Sequence, residues 1–129
     1  MKRQIISTSA APAAVGAYSQ AVLINGTTLY TSGQIGLVPE TGEFAAADTA
    51  GQTRQVMKNL QALLNAAGMS FDDAVKTTCF LADINDFAHF NAIYAEYFTS
   101  KPARSCVACA ALPKGARVEV EVIAEKSAE

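Results

Sequence analysis

The chain has 129 residues, of which 50% are hydrophobic and 17% are charged, and its formal net charge is -2. This length and composition predict one folded domain, residues 1–129, and exclude a disordered chain. The basic residues form no stripe that could bind a phosphate backbone, and no apolar stretch is long enough to span a bilayer. Nucleic acid and membranes are therefore not expected as partners. An odd number of cysteines and the lack of an apolar signal-peptide core predict a cytoplasmic protein.

Three short strands are predicted at the start of the chain. Arg3 to Ser7 has β-forming composition, and two apolar runs, Ser19 to Asn25 and Thr27 to Gly33, follow it. The pair Asn25-Gly26 lies between these runs and can adopt the two positive φ angles of a tight hairpin turn. The two runs are therefore predicted to pair with each other. Thr41-Gly42 predicts a further turn before a short extended piece.

The first amphipathic helix is predicted to begin after Asp48 or Thr49, either of which can cap its N-terminus. Gly68 lies where a glycine commonly terminates a helix. Between these positions, apolar residues recur at helical spacing and form one stripe: Val56, Leu60, Leu63, Leu64 and Ala67. The segment Ala74 to Ala82, rich in β-branched residues, is then predicted to be a strand.

The second helix is predicted to open at Asn85 or Asp86. It must end before Lys101-Pro102, because the residue that precedes a proline is disfavoured in the helical conformation. Its apolar side is mostly aromatic and consists of Phe87, Phe90, Ile93, Tyr94, Tyr97 and Phe98. Two final strands, Arg104 to Ala111 and Arg117 to Glu125, are predicted to form an antiparallel pair across the short segment LPKGA.

The predicted order of elements, β-β-β-α-β-α-β-β, indicates an α+β fold with a five- to six-stranded mixed sheet and two helices on one face. Two helices cannot cover both faces of such a sheet. With regular alternation, the uncovered face would carry Cys106 and Ala108 beside Arg117, Glu119 and Glu121. Because this face is both too apolar for water and too charged for a core, we expect it to pack against another copy of the chain.

The cysteines Cys106 and Cys109 have C-x-x-C spacing, but neither a redox nor a metal role is expected. Residues three apart on a strand point to opposite faces, so the two thiols could not bond to each other or to one ion. The single histidine, His89, lies inside the second predicted helix, and a zinc site needs further ligands. Cys109 is instead predicted to face the helices, together with Ser105 and Val107, as a small buried residue.

Arg104 shares a face with Cys106, and the predicted hairpin would bring Arg104 onto the same surface as Glu119. An arginine can hold a carboxylate through two parallel hydrogen bonds, and a glutamate can deprotonate a water. The two side chains could equally neutralise each other on a solvated face, and the pattern alone leaves both interpretations open. For Arg117 and Glu121, a simple ion pair on that face is the favoured interpretation.

The segment PARSCVACAALPKGARVEVEVIA closely resembles the C-terminal signature of the Rid family of reactive intermediate deaminases, also called the YjgF or translation-inhibitor family. Three further segments resemble family motifs in the same order: APAAVGAYSQAV, YTSGQIG and VKTTCFLADINDFAHFNAIYAEYF. Within the family the chain is most similar to the RidA subgroup. The resemblance implies a fold similar to the trimeric chorismate mutases and a homotrimer with a pocket at each subunit interface.

The resemblance also implies an activity and a set of site residues. The activity is hydrolysis of 2-enamine and 2-imine acids, such as 2-aminoacrylate, to 2-keto acids and ammonia without a cofactor. Arg104 would clamp the substrate carboxylate, Glu119 would hold the attacking water and shuttle its proton, and Cys106 would line the pocket. The remaining substrate-binding residues would be Tyr18, Ser32, Gly33 and Asn91.

The chemistry agrees with this set of residues. An imine carbon is already electrophilic, so hydrolysis requires a held carboxylate, an oriented water and proton transfer, but no metal or strong nucleophile. Two residues depart from the family pattern. Ala17 stands before Tyr18 where proline is common, and Lys101 stands before Pro102 where phenylalanine is common. The second departure bears on substrate preference more than on activity.

Other functions remain open at this point. A non-catalytic trimer that binds a 2-keto acid, or regulates through it, would use the same arginine. An RNA-directed nuclease or translation inhibitor, as reported for some relatives, is disfavoured by the acidic balance and by the lack of interleaved aromatic and basic residues. The sequence neither supports nor excludes a chaperone-like interaction protein.

Overall fold

The computed structural model describes residues 1–127, which form a six-stranded sheet and two α-helices. The strands are β1 (Arg3–Ile6), β2 (Ala21–Ile24), β3 (Thr28–Thr31), β4 (Ala74–Leu81), β5 (Ala103–Ala108) and β6 (Val118–Glu125). The helices are α1 (Thr49–Ala66) and α2 (Phe87–Tyr97). Across the sheet the order is β1-β2-β3-β6-β4-β5, with β4 and β5 parallel and the other neighbours antiparallel. The predicted α+β class and mixed sheet are confirmed.

Local signals set the boundaries of these elements. Asn25 and Gly26 adopt φ angles of 53° and 73° and form the hairpin turn between β2 and β3. Asp48 caps α1 by accepting a hydrogen bond from the backbone N–H of Gly51, and Gly68, with φ of 74°, lies just beyond the end of the helix. The predicted hairpin turn and both ends of the first helix are therefore confirmed. Neither helix of the described chain is long and apolar enough to cross a membrane.

Both helices pack on the same face of the sheet and form the core there. The buried core residues of β6 alternate along the strand and are Val118, Val120, Val122 and Ala124. Those of the helices include Val56, Leu60, Leu64, Phe90 and Ile93. Each large apolar side chain that is fully buried stabilises the fold by roughly 1.5–3 kcal/mol before entropy is counted. The core therefore fixes which face of β6 is turned outward.

The antiparallel pair predicted for the last two strands is wrong. Strand β4 lies between β5 and β6, and β5 ends at Ala108 instead of Ala111. Residues 109–117 are long enough to step across one strand, which a tight hairpin turn could not do. Strand β4 is rich in β-branched residues, which favours a central position in the sheet with a paired strand on each side.

The face predicted for the residues of β5 is also wrong. The Cα partners of Arg104 and Cys106 on β4 are Thr77 and Cys79, and both of these are fully buried beneath the helices. Arg104 and Cys106 therefore face the helices, and Val107, which is 48% exposed, faces the other side with Ser105. The alternation itself is as predicted. The prediction assigned the two faces of β5 the wrong way round. The reason is that β5 is an edge strand of mostly small residues, and their pattern does not show which face is buried.

The face of the sheet opposite the helices is uncovered and partly apolar. Ile5, Tyr30 and Val107 are large apolar side chains exposed on this face, and Glu119 and Glu121 of β6 share it. An apolar surface of this kind marks an interaction surface in many proteins. The prediction that the helices leave one face of the sheet uncovered is confirmed.

Candidate active site

One cleft lies on the uncovered face of the sheet, where β6 meets the loops that flank β3, and has a volume of about 790 Å³. Four of the predicted site residues line it: Tyr18, Ser32, Gly33 and Glu119. Glu121 and Lys114 line it as well. We call this site the glutamate cleft.

Glu119 rests directly on Gly33. A β-carbon at Gly33 would lie 2.8 Å from Cδ of Glu119 and still closer to its Oε2, so only glycine leaves room for the carboxylate. Burial raises the pKa of Glu119, and the neighbouring charge of Glu121, two residues along the same face, raises it further. Within residues 1–127, no side chain donates a hydrogen bond to Glu119. Its carboxylate is therefore available to a water or a ligand in the cleft.

Tyr18 and Ser32 also line the glutamate cleft. Tyr18 is 53% exposed and is therefore not part of the core, and its hydroxyl oxygen accepts a 3.4 Å hydrogen bond from the backbone N–H of Val15. The Ser32 hydroxyl donates to the carbonyl of Ser19 at 2.6 Å. This bond commits the Ser32 proton to the backbone, so the hydroxyl oxygen can offer a ligand only its lone pairs.

Two buried amide side chains, missed from the sequence, fix the irregular walls of the glutamate cleft. Gln20 accepts from the backbone N–H of Thr8 at 2.7 Å and donates to the carbonyl of Pro12 at 2.8 Å. Asn59, on α1, donates to the carbonyl of Leu37 at 3.0 Å. Burying a polar group costs free energy unless the group is hydrogen-bonded. An amide side chain among apolar neighbours in the sequence could therefore have indicated a buried, hydrogen-bonded residue.

The second cleft lies between α2 and β5 and has a volume of about 540 Å³. Of the predicted site residues it contains Arg104 and Asn91, and Tyr94, Thr99 and Lys101 also line it. Arg104 Nη1 donates to Oδ1 of Asn91 at 2.6 Å. We call this site the arginine cleft.

Arg104 lies against two aromatic rings of α2. Its guanidinium carbon is 4.7 Å from the ring centroid of Tyr94 and 5.4 Å from that of Phe87. The hydroxyls of Tyr94 and Thr77 are hydrogen-bonded at 2.7 Å, which fixes the Tyr94 ring, and burial raises the pKa of Tyr94. A cation over aromatic faces is stabilised by about 0.5–2 kcal/mol. Helix α2 therefore positions Arg104.

Sequence reasoning assigned Phe87 and Tyr94 to the core and missed their contact with the arginine. A signal was nevertheless present. Phe87, Asn91 and Tyr94 follow the spacing i, i+4, i+7 and share one side of the helix. A single amide within an otherwise apolar stripe indicates a polar partner across the stripe, and that partner is Arg104.

The structure separates the two principal site residues. Arg104 faces the helices and lines the arginine cleft, whereas Glu119 faces away from the helices and lines the glutamate cleft. The prediction that one chain brings both onto the same surface is therefore wrong, because the hairpin on which it rested does not form. Arg117 pairs with Asp86 at 2.7 Å instead of Glu121, and this hydrogen bond lowers the pKa of Asp86.

All three cysteines are free thiols. Cys106 packs against the core and is half-buried, and burial raises the pKa of its thiol, so it is protonated and a poor nucleophile at neutral pH. Burial raises the pKa of Cys79 to about 12. Cys109 follows β5 and is only partly buried, so the predicted placement of Cys109 on a strand facing the helices is wrong. Within residues 1–127 no cluster of potential metal ligands is present.

The sequence of the chain matches one protein family. A family model described as Endoribonuclease L-PSP matches residues 8–126. The chain therefore belongs to this family, which is also called Rid or YjgF.

Proteins of known sequence and structure support this assignment. The chain is 54% identical to a rat protein and 50% identical to a human protein, each named 2-iminobutanoate/2-iminopropanoate deaminase, over 95% of this chain and 89% of each relative. The structure of TdcF from Escherichia coli with bound serine is similar, with a TM-score of 0.91, 43% identity, and coverage of 96% of this chain and 99% of that chain. The Rid family protein YyfA from Yersinia pestis has a TM-score of 0.92, 51% identity and the same coverage.

Proposed function

We propose that the protein is a 2-iminobutanoate/2-iminopropanoate deaminase. It hydrolyses 2-imine acids, and 2-enamine acids such as 2-aminoacrylate after their tautomerisation, to 2-keto acids and ammonia. It does so as a homotrimer and without a cofactor. The relatives of that name, which match nearly the whole chain, support the reaction.

The observation that carries the trimeric site is the separation of Arg104 from Glu119. The arginine cleft holds a cation and the glutamate cleft a carboxylate, and the two open on different sides of the sheet. The uncovered face that bears the glutamate cleft also exposes apolar side chains. Packing the β5 and α2 edge of one chain against this face of the next covers the apolar surface and joins the two half-sites.

Arg104 clamps the carboxylate of the substrate. Its Nη1 atom is bonded to Asn91, and the rings of Phe87 and Tyr94 hold the guanidinium plane, so the remaining N–H groups are oriented before the substrate arrives. A guanidinium fork matches a carboxylate through two parallel hydrogen bonds. In this site Asn91 positions the arginine, whereas the resemblance implied that it binds substrate directly.

Glu119 of the neighbouring chain handles the protons. Starting from the protonated imine, it accepts a proton from the water as the water oxygen bonds to the imine carbon and the C=N electron pair moves to nitrogen, which gives a neutral carbinolamine. Glu119 then passes this proton to the amino nitrogen, and the C–N bond breaks as the hydroxyl oxygen forms the carbonyl. Glu119 accepts the hydroxyl proton and passes it to the departing ammonia, which leaves as ammonium. The raised pKa of Glu119 suits a group that must both accept and donate a proton.

The other site residues enclose the substrate. Tyr18 and Ser32 line the same cleft as Glu119, and Gly33 leaves room for the carboxylate of Glu119 and for close approach of the backbone to the ligand. Cys106, protonated and half-buried, lines the side of β5 that bears Arg104. None of these residues needs to act as a nucleophile, because the imine carbon accepts water directly.

A turnover assay tests the proposal. 2-Aminoacrylate is generated in the cuvette by a pyridoxal-phosphate dehydratase acting on serine, and the appearance of keto acid and ammonia is followed with and without the protein. We expect both to appear faster, in proportion to the protein added. A non-catalytic keto-acid-binding trimer would instead saturate with ligand and leave the rate unchanged. Light scattering that gives a stable monomer would contradict the shared site.

A further inference from the structure

Lys101 places a second positive charge in the arginine cleft. Lys101 and Arg104 both line this cleft together with Thr99 and Asn91, and no acidic residue is among the lining residues. Within residues 1–127, neither cation forms an ion pair with a carboxylate, whereas Arg54 and Arg117 each do. Two cations that share a cleft without an anion constitute a site for a ligand with more than one negative charge.

The backbone at Lys101 is held in an unusual conformation. Its φ angle is 56°, in the left-handed region that non-glycine residues seldom adopt. Pro102 follows directly, and the residue before a proline is biased toward extended conformations. The N–H of Lys101 donates to the carbonyl of Phe98 at 3.2 Å, so a turn at the end of α2 fixes this geometry. Glycine would adopt this backbone conformation without strain. Because lysine is present at this position instead, we expect its charged side chain to have a function.

We propose that Lys101 and Arg104 together extend the substrates of the site to 2-imino acids with a second acidic group, the imines of dicarboxylic amino acids, and bind these more tightly than imines with an uncharged end. The inference rests on the proposed function and adds a substrate class to it. Arg104, with its fixed fork, takes the carboxylate next to the imine carbon. Lys101, a point charge on a flexible stem, takes the distal carboxylate, whose position varies with chain length. The cleft, at about 540 Å³, has room for both groups.

Two product analogues that differ only in their distal group provide the test. 2-Oxoglutarate ends in a carboxylate and 2-oxopentanoate ends in a methyl group, so the ratio of their dissociation constants isolates the distal interaction. We expect Lys101→Met, which keeps the length and removes the charge, to lower the preference for 2-oxoglutarate about fivefold, the upper end for an exposed ion pair. Lys101→Arg should keep most of the preference.

The controls separate a local interaction from a change in net charge. Lys58→Met removes an exposed lysine on α1, far from the arginine cleft, and should leave the ratio unchanged. In the parent protein the preference for 2-oxoglutarate should also weaken as salt is added, since salt screens exposed charges. A ratio that Lys101→Met leaves unchanged would overturn the inference. If Lys101→Met lost the mass of a trimer while the ratio of the two dissociation constants stayed the same, the inference would also be overturned. Lys101 would then pair with the neighbouring chain instead of with a ligand.

Turnover distinguishes failure of this inference from failure of the proposed function. An amino-acid oxidase generates 2-iminoglutarate from glutamate and 2-iminopentanoate from norvaline, and hydrolysis of each is compared in the parent and in Lys101→Met. Hydrolysis of neither imine, with the predicted binding ratios intact, contradicts the deaminase and supports the site. Hydrolysis of both with the same relative rates in the two proteins contradicts only the role of Lys101. A parent protein that binds neither keto acid overturns the inference as well.

Discussion

The two clefts of this protein are built in different ways and carry opposite charges. In the glutamate cleft, irregular loops held by the buried amides Gln20 and Asn59 surround a carboxylate that rests on a glycine. In the arginine cleft, one side of a regular helix holds a guanidinium between aromatic rings. The first cleft presents an acid in partly buried surroundings, and the second presents a cation without an acid. Each therefore has a group, a guanidinium or a partly buried carboxylate, that the other lacks.

In the proposed mechanism neither cleft acts alone. Arg104 can hold a carboxylate but has no proton acceptor beside it, and Glu119 can accept a proton but has no arginine beside it. Burial and the charge of Glu121 raise the pKa of Glu119, so the ionised glutamate is at a disadvantage until a positive charge approaches. In the proposed trimer, association of two chains supplies the missing partner to both clefts, and complementary charges of this kind also orient the contact.

Replacing Arg104 by lysine should produce the largest effect on the arginine cleft. A point charge on a flexible stem cannot reproduce two parallel hydrogen bonds or the contact with Phe87 and Tyr94. We expect kcat/KM for 2-aminoacrylate to fall by roughly 30- to 1000-fold, or about 2–4 kcal/mol, with an unchanged Tm and trimer. Arg54→Lys, at the exposed pair with Glu96, is the matched control and should change little. Full turnover by a folded Arg104→Lys trimer would refute the carboxylate clamp.

Replacing Glu119 by glutamine should have the next largest effect, and it should differ in kind. Glutamine keeps the shape of the side chain but cannot accept the proton of the water, so kcat should fall on the order of 100-fold while binding of 2-oxobutyrate is retained. Calorimetric titration and steady-state kinetics measure the two quantities. Glu125→Gln, at the exposed end of the same strand, serves as the control. Normal kcat in Glu119→Gln would assign Glu119 to structure and make Glu121 the next candidate.

Adding a methyl group at Gly33 should disturb the glutamate cleft without unfolding it. The methyl group would overlap the end of the Glu119 side chain, which can swing away, so the fold survives and the carboxylate moves. We expect Gly33→Ala to lower kcat on the order of 10-fold at a nearly unchanged Tm. In a Glu119→Gln background the same substitution should cost little more, because the displaced group is already absent. Additive losses would show that Gly33 acts apart from Glu119.

The smallest expected effect is a shift in the pH dependence of turnover. Glu119 is active when it is deprotonated, so kcat/KM should rise with pH through an apparent pKa above the ordinary glutamate value. Burial is the larger cause of that raised pKa and Glu121 the smaller one. Glu121→Gln should therefore move the acidic limb of the pH profile of kcat/KM to lower pH. The apparent pKa should nevertheless stay above the ordinary value for glutamate. A limb that stays in place would mean that Glu121 does not influence Glu119.

Local chemistry made much of the fold predictable from the sequence. Asn25-Gly26 determines a hairpin turn, and Asp48 and Gly68 determine the ends of α1, because each of these residues acts on its own backbone and on that of near neighbours. The position of β5 was not predictable in this way. Its residues Ala103–Ala108 are mostly small and lie at an edge of the sheet, so their pattern records neither the neighbouring strand nor the buried face.

The candidate site shows the same limit. Arg104 and Glu119 were recognisable as candidate site residues from their side-chain chemistry. Their positions, however, depend on the order of the strands, which residues distant in the sequence determine. The pattern placed the two residues together through a hairpin that does not form. Resemblance to the family supplied Tyr18, Ser32 and Gly33, which do share a cleft with Glu119. In the proposed trimer the relation of the two clefts is a property of the assembly, so the sequence pattern of one chain could not indicate it.

Mixed oligomers test the shared site most directly. Arg104→Lys and Glu119→Gln chains carry different affinity tags, are co-expressed in equal amounts, and oligomers that bear both tags are isolated. If each site takes its arginine from one chain and its glutamate from the next, each trimer that contains both variants has about one third of its sites with both native residues. We predict that the isolated mixed trimers recover about a third of the parental turnover. Turnover no greater than that of the two variants measured separately would contradict a site shared between chains.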